Sequence, residues 1–310
     1  MNHPTITVVG SFAVGMTIRT DRMPVFGETL RGSDFDMGPG GKGSNQAVGA
    51  ARLGASAWFA GIIGQDKLGD IAVDLYAAEG VNTRYLHRTE KMATGVGFII
   101  LNQAGENGII LDMSANRLMD AAFVDGVESQ IARSDLVASV LEIPVEAAAR
   151  AMALGRRHGV RTLLNPAPAA PLDESILQNV DVLTPNETEL RILLGLPPDD
   201  PTPTPELAHR LQEMGARTVV VTMGHAGALI LDDGIQTQVP GVGVEVVDTT
   251  GAGDAFNAGL AVALSEGRDL VEAVKFANCC GALACTRLGV IPALPDRQAV
   301  ERVFEANFEA

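Results

Sequence analysis

The run Val247-Asp248-Thr249-Thr250-Gly251-Ala252-Gly253-Asp254-Ala255-Phe256 carries the clearest chemical signal in the chain. Gly251 and Gly253 let the backbone approach a ligand closely. A helix beginning behind them turns unpaired N–H groups and its positive dipole end outward, which suits a phosphoryl group in transfer. Asp254 falls at the same helix start. Its ionised form is favoured there, and it can take a proton from a hydroxyl. A capping aspartate would be the bland alternative, but a cap does not call for the small residues before it.

A second cluster, Gly38-Pro39-Gly40-Gly41-Lys42-Gly43, formally fits G-x-G-x-x-G at Gly38, Gly40 and Gly43. Asp66 stands roughly where a dinucleotide site wants its acid. Yet the preceding segment is polar and the cluster does not follow the first strand, so a dehydrogenase is disfavoured. Gly43 after Lys42, in place of Ser or Thr, excludes a Walker A loop. What remains is pliable backbone with one cation, Lys42, and one amide, Asn45. Those groups can surround a small polar ligand, or simply form a tight strand-to-helix turn. In Thr184-Pro185-Asn186-Glu187-Thr188-Glu189, an Asn and a carboxylate share one face of a first helical turn. They suit Mg²⁺-bound water near phosphates, and equally a capping box. Val221-Thr222-Met223-Gly224-His225-Ala226-Gly227 follows a buried strand at the edge where open α/β sheets bind ligands. His225 reads as an exposed loop residue there.

The elements that must position these groups follow from periodicity. Ile6–Val9 and Ala57–Ile63 read as buried strands. Ser44 is the expected cap of a small-residue helix through Leu53, and a helix over 69–79 closes at Gly80. Residues 94–102 and 108–113 suggest a hairpin. Helices 120–132, 145–157, 186–194 and 204–214 then alternate with strands 136–141, 160–164, 182–183 and 218–221, which argues a parallel sheet covered on both faces. Residues 226–240 give a second hairpin around Asp232-Asp233-Gly234, and helices over 270–286 and 297–307 finish the chain. The prolines of 197–205 read as a surface connection. The expected organisation is one domain over 1–310, with a small β lid from about 14–36 and 93–114.

Composition limits the partners. The 310 residues carry a formal charge of −15, which argues against nucleic acid or an anionic membrane. Aromatics make up only 4%, too few for a base-stacking platform. The N-terminus lacks the basic stretch of a secretion signal, and no apolar run reaches membrane-spanning length. Cys279, Cys280 and Cys285 crowd one small-residue helix, so a disulfide framework is excluded and a reducing cytoplasm is expected. They read as core residues. With no CxxC and no clustered histidines, a zinc site is not expected.

Together these residues resemble the ribokinase-like, or PfkB, family of carbohydrate kinases over nearly the whole chain. The resemblance is carried by Gly40-Gly41-Lys42-Gly43-Ser44-Asn45-Gln46-Ala47, Asn165-Pro166-Ala167-Pro168, Pro185-Asn186-Glu187-Thr188-Glu189 and Asp248-Thr249-Thr250-Gly251-Ala252-Gly253-Asp254. It implies a three-layer α/β sandwich with a mainly parallel sheet and a β lid. It implies transfer of the ATP γ-phosphoryl group to a sugar hydroxyl, with Asp254 as base and Gly251, Ala252 and Gly253 as anion hole. Gly41, Lys42, Gly43, Ser44, Asn45 and Glu142 match sugar-binding positions. Asn186, Thr222, Gly224, Gly227, Gly253 and Asn278 match nucleotide positions. Glu189 matches the acid that organises Mg²⁺ through water. Asp248, Thr250, Ala284, Arg287, Gly289 and Ala293 match a potassium loop. A homodimer through the lid is also implied.

One departure bears on substrate. Ribokinases carry Gly-Ser-x-Asn-x-Asp after the first strand, and both polar residues hold sugar hydroxyls. Here the run is Gly10-Ser11-Phe12-Ala13-Val14-Gly15. The expectation is an active kinase with altered substrate choice. Its alternatives are a ribokinase proper, making ribose 5-phosphate, and a non-catalytic sugar or nucleotide sensor on the same fold.

Overall fold

A computed structural model describes residues 3–102 and 107–309. Two sheets are formed. The larger has nine strands: β1 (Thr5–Val9), β4 (Ser56–Gly64), β5 (Asn82–Thr89), β8 (Leu136–Val140), β9 (Arg161–Asn165), β10 (Val182–Leu183), β11 (Thr218–Thr222), β12 (Ala228–Asp232) and β13 (Ile235–Val239). Their order across the sheet is β13-β12-β11-β10-β9-β8-β1-β4-β5. All neighbours from β5 to β11 run parallel, and the β11–β12–β13 segment is antiparallel.

The strands are apolar on both faces because helices cover both. Val8, Leu136, Leu163, Val182 and Val220 belong to one core, and Val9, Val137, Leu164, Leu183 and Val219 to the other. Adjacent residues of each strand thus enter opposite layers, as the period-2 pleat requires. The first core is filled from α1 (Lys42–Arg52), α6 (Ala252–Ser265), α7 (Leu270–Ala284) and α8 (Arg297–Phe308). The second is filled from α3 (Val145–Arg157), α4 (Glu187–Leu193) and α5 (Thr204–Glu213). Between β4 and β5 runs α2 (Lys67–Glu79), which ends on Gly80 in the left-handed region, as expected. No helix among the described residues is long and apolar enough to cross a membrane.

The smaller sheet comprises β2 (Ala13–Arg19), β3 (Ser33–Gly40), β6 (Gly95–Leu101) and β7 (Asn107–Asp112), in the order β3-β2-β6-β7. It is the expected β element, drawn from two separated pieces. The first piece begins at Ala13 and runs on to Gly40, into the glycine cluster. The β6–β7 pairing is antiparallel, as the hairpin reading required. Residues 103–106 of its turn lie outside the described residues.

Several local expectations are corrected. The cap of α1 is Gly41, not Ser44, which lies inside the first turn. The helix expected over 120–132 is two short helices, Ala121–Asp125 and Glu128–Ile131, separated at Gly126. Glycine is a poor helix former, so the break falls there. β5 is an addition to the expected strands, because an exposed edge strand of polar sequence lacks an apolar signature.

Candidate active site

The groups singled out by sequence gather at the C-terminal ends of the parallel strands. β1 delivers Ser11, β8 delivers Glu142, β10 leads to Asn186, and β11 ends in Thr222. Open α/β sheets bind ligands at this edge.

The start of α1 is held against the end of β1. A Cβ on Gly43 would lie 2.6 Å from the Ser11 nitrogen, so only glycine lets the two backbones approach this closely. The Glu142 carboxylate accepts from the Ser11 hydroxyl at 2.6 Å and from the Lys42 N–H at 2.8 Å. Ser11 is a site residue that sequence reasoning misses, and its only signal is a polar residue closing a buried strand. One turn into α1, Asn45 Nδ2 donates to Asp254 Oδ2 at 2.7 Å. The Ser44 side chain goes elsewhere. Its hydroxyl and that of Tyr76 face one another in the core without reaching hydrogen-bond geometry.

Asp254 is 5% exposed, in the first turn of α6. It is not the cap: that position is Gly251, at φ 82°. The Ala252 N–H donates to Thr249 O at 3.2 Å, and the Ala255 N–H donates to Gly251 O at 2.9 Å. The N–H groups of Gly253 and Asp254 lie between these two bonds, in the turn that a helix leaves without intrahelical acceptors. A Cβ built on Gly253 would meet nothing within 4 Å. Gly253 is exposed, so the helix start leaves room for a ligand beside amides that have no intrahelical acceptor, as an anion site requires.

Four charges act on one another here. Burial pushes Asp254 above the usual carboxylate range, against the pull of Lys42, Asn45 and Gln46. Burial likewise raises Glu142, opposed by Lys42 and by its hydrogen bonds to Ser11 and the Lys42 amide. It also raises Glu189, opposed by the Asn186 amide and Lys42. Burial alone would lower Lys42, but Asp254, Glu142 and Glu189 together outweigh it and hold the ammonium above its ordinary value. The cluster is one ammonium shared by three carboxylates, and titratable groups perturbed by burial plus charge partners in a crevice mark functional sites.

The Asn186–Glu189 capping box is formed in full, with the Asn186 side chain on the Glu189 N–H at 2.8 Å and the Glu189 carboxylate on the Asn186 N–H at 2.9 Å. It does not spend Glu189, which still interacts with Lys42 and Asp254. Asn186 pairs with Thr222 through a backbone bridge, which brings together two of the positions expected at the nucleotide. Gly224, at φ 55°, faces open space, and His225 is exposed. Gly227 has a packing reason to be glycine, since a Cβ there would lie 2.2 Å from Val239 O. Asn278 donates to Pro240 O at 3.0 Å.

The loop expected to hold potassium is assembled by Asp248. Its carboxylate accepts from Thr250 N and Oγ1 at 2.9 and 2.7 Å, and from Gly289 N at 3.1 Å. Ala284 and Ala293 are buried and Arg287 is exposed. With those oxygens occupied, the donors left are backbone carbonyls, which fit a hard cation.

The dehydrogenase reading fails on geometry. Gly38 and Gly40 close a strand of the smaller sheet, so the helix that follows does not start from a strand of the parallel sheet. Asp66 caps α2, accepting from Gly69 N, Thr94 N and Thr94 Oγ1 at 2.8 Å each. Cys279 and Cys280 are core residues as expected, and Cys285 is half-buried.

A buried carboxyl group beside helix N-terminal amides without intrahelical acceptors, with polar side chains opposite, suits a phosphotransferase with an alcohol as acceptor. Comparison with known proteins narrows the class. Residues 4–297 match the pfkB family of carbohydrate kinases. Ribokinase of Haemophilus influenzae is 36% identical over 294 residues, covering 95% of this chain and 96% of that one. Deoxyribokinase of Salmonella typhimurium is 34% identical over 303 residues, covering 97% and 99%. The structure of Arabidopsis thaliana ribokinase complexed with ribose and ATP superposes with a TM-score of 0.91 at 29% identity, covering 98% and 99%. The chain belongs to the PfkB family of carbohydrate kinases, and the sandwich with its separate four-stranded sheet is the ribokinase fold.

Proposed function

We propose that this chain transfers the γ-phosphoryl group of ATP to a hydroxyl of a sugar or sugar derivative, with Asp254 as general base. The observation that carries the reading is Asp254, buried, bonded to Asn45, and one residue from the open amide of Gly253. The sugar hydroxyl lies against Asp254, which accepts its proton as the oxygen attacks the γ-phosphorus. The bond from that phosphorus to the bridging oxygen breaks, and ADP leaves. The amides of Gly251, Ala252 and Gly253 stabilise charge on the transferring group.

Gly41, Lys42, Gly43, Asn45 and Glu142 hold the sugar. Asn186, Thr222, Gly224, Gly227 and Asn278 hold the nucleotide. Glu189 would hold Mg²⁺ through water, and a divalent ion there would supply positive charge against the phosphates. The Asp248–Gly289 loop would hold potassium through backbone carbonyls, and the ion would supply a fixed charge that keeps the shape of the anion hole. The lid is the homodimer contact. Met37, Met16, Phe98 and Ile110 form one row across its four strands, with Phe98 50% and Ile110 63% exposed.

Ala13 and Gly15 support an acceptor with more bulk, or fewer hydroxyls, than ribose. Ribokinase proper is the second reading, favoured by identity to named ribokinases. A screen of pentoses, deoxypentoses, hexoses and tetroses with ATP, Mg²⁺ and K⁺ decides between them. Turnover of ribose above every other acceptor would favour the second, and no ATP consumption with any acceptor would leave a binding protein.

A further inference from the structure

Beneath the base lies a chain of buried polar side chains that neither the sugar nor the nucleotide contacts explain. Gln46, Asn165, Thr184 and Asn257 are each no more than 6% exposed, and come from α1, β9, the end of β10 and α6. Gln46 Nε2 donates to Asn165 Oδ1 at 3.2 Å, and Asn165 Nδ2 donates to Thr184 O at 3.2 Å. The Thr184 hydroxyl donates to Asn257 Oδ1 at 2.6 Å. Asn257 Nδ2 then donates to Gly253 O at 2.8 Å. Gln46 also acts on the Asp254 carboxylate. The relay therefore starts on α1, passes below the crevice through β9 and the end of β10, and ends at the peptide joining Gly253 to Asp254.

Burying four polar side chains in an otherwise apolar sandwich is costly unless they are hydrogen-bonded, and a bonded network holds one arrangement. Two properties say which. The Gly253 carbonyl lies between the N–H of Gly253, a proposed anion-site donor, and Asp254, so the Asn257 amide fixes how that donor and the base are set against one another. The Thr184 hydroxyl in turn fixes the rotamer of Asn257, since it presents a donor to Oδ1 and so directs Nδ2 toward Gly253. The Asn165-Pro166-Ala167-Pro168 and Thr184-Pro185 motifs, which the proposed catalytic roles leave unused, acquire a task by this route.

We infer that Thr184 and Asn257 are positioning residues, which orient the Gly253–Asp254 peptide and so align the anion site with the base. They touch neither the acceptor nor the nucleotide. The inference rests on the kinase reading of the site. Orientation of this kind acts on the transition state more than on ground-state binding.

The test compares Thr184→Val, Thr184→Ser, Asn257→Leu and the Thr184→Val/Asn257→Leu double variant. Each is assayed with ATP and the acceptor that the wild type turns over fastest, and each is melted with and without ATP–Mg²⁺. A wild type that turns over no acceptor would overturn the kinase reading itself, before any variant is compared. Thr184→Val and Asn257→Leu are expected to lose tenfold or more in kcat, with KM for both substrates within about twofold. Thr184→Ser, which keeps the hydroxyl, is expected to retain at least half the wild-type kcat. The double variant leaves no unpaired polar atom between the two positions, so its Tm is expected to recover toward the wild type while its kcat stays low. Recovery of kcat together with Tm would reduce the pair to a structural contact and overturn the proposal. So would a single variant with kcat within twofold of the wild type. Should either single variant fail to fold, the double variant and Thr184→Ser decide the question by the same criteria.

Discussion

Asn45 Nδ2 lies 2.7 Å from Asp254 Oδ2, across 209 positions of sequence. One amide thus ties the first helix of the proposed sugar cradle to the proposed base. Its Oδ1 has no protein partner although the residue is 4% exposed, which leaves an acceptor for a bound hydroxyl.

The first prediction concerns the base itself. Asp254→Asn keeps the shape and can still pair with Asn45, but it cannot accept a proton. General-base loss is worth about 10²–10⁴ in rate. The variant is expected to lose that much kcat while binding ATP within a few-fold of the wild type by calorimetry. Turnover near the wild-type rate would remove Asp254 from the role of base.

The second concerns pH. Asp254 must be ionised to act, and burial raises it above the ~3.9 of a free aspartate. Activity is therefore expected to rise with pH through that elevated value, placing the acid limb of kcat/KM above the ordinary aspartate range. Lys42 pulls Asp254 downward, so Lys42→Met should move the limb to still higher pH. A limb that stays in place, or moves down, contradicts the charge arrangement.

Much of this site is legible in sequence, for identifiable reasons. Asp254 and Gly251–Gly253 are local in the chain, and a glycine-led helix start is a local signal. The layers are legible because β1, β8, β9 and β11 are apolar on both faces. β5 is not, since its Asn-Thr-Arg-Tyr-Leu-His-Arg-Thr sequence reflects an edge position with little to bury. Ser44 has the residue type of a cap, whereas the backbone turns earlier, at Gly41 with φ 91°. The roles of Ser11, Gln46, Thr184 and Asn257 depend on contacts between distant positions. Ser11 and Glu142 stand 131 apart, and Thr184 and Asn257 stand 73 apart, and no periodicity encodes such pairs.

The third prediction is a stability test at Arg52. Its guanidinium forks onto the Glu79 carboxylate at 2.9 and 2.6 Å. It also donates to the carbonyls of Ile291 and Leu294 at 2.7 and 2.8 Å. It therefore ties α1 and α2 to the segment after Gly289. Arg52→Met should cost about 2–3 kcal/mol in denaturant unfolding, since charged hydrogen bonds are lost and carbonyls are left unpaired. Arg52→Lys should recover little of this, because an ammonium cannot reproduce the fork. Full recovery by lysine would show that charge, not geometry, matters there.

The fourth tests the cation loop. The Asp248 carboxylate holds Thr250 and Gly289 together, so Asp248→Ala should free the two segments from one another. The wild type is expected to be faster in potassium than in sodium or cation-free buffer, and Asp248→Ala to show no such difference. Equal wild-type rates in all three buffers would reject potassium activation.

The last prediction addresses the acceptor. Gly15 sits in β2, paired with Gly38 on one side and Gly97 on the other. Its backbone is not in the left-handed region, so glycine is not required for conformation. Space does not require it either, because an added Cβ would meet Gly38 O and Ile99 Cδ1 no closer than 3.7 Å. Neither the strand nor its packing explains the missing side chain, and the proposed change of acceptor would account for it. Ala13→Asn/Gly15→Asp restores the polar pair of the ribokinase pattern at positions where the lid backbone accepts a side chain. A hydrogen bond gained to a substrate hydroxyl is worth about 1 kcal/mol or more. The double variant is therefore expected to gain on the order of tenfold in kcat/KM for D-ribose. It should lose on the acceptor that the wild type prefers, since two side chains now occupy the space it uses. A folded double variant with unchanged ribose kcat/KM would mean that Ala13 and Gly15 do not set the acceptor.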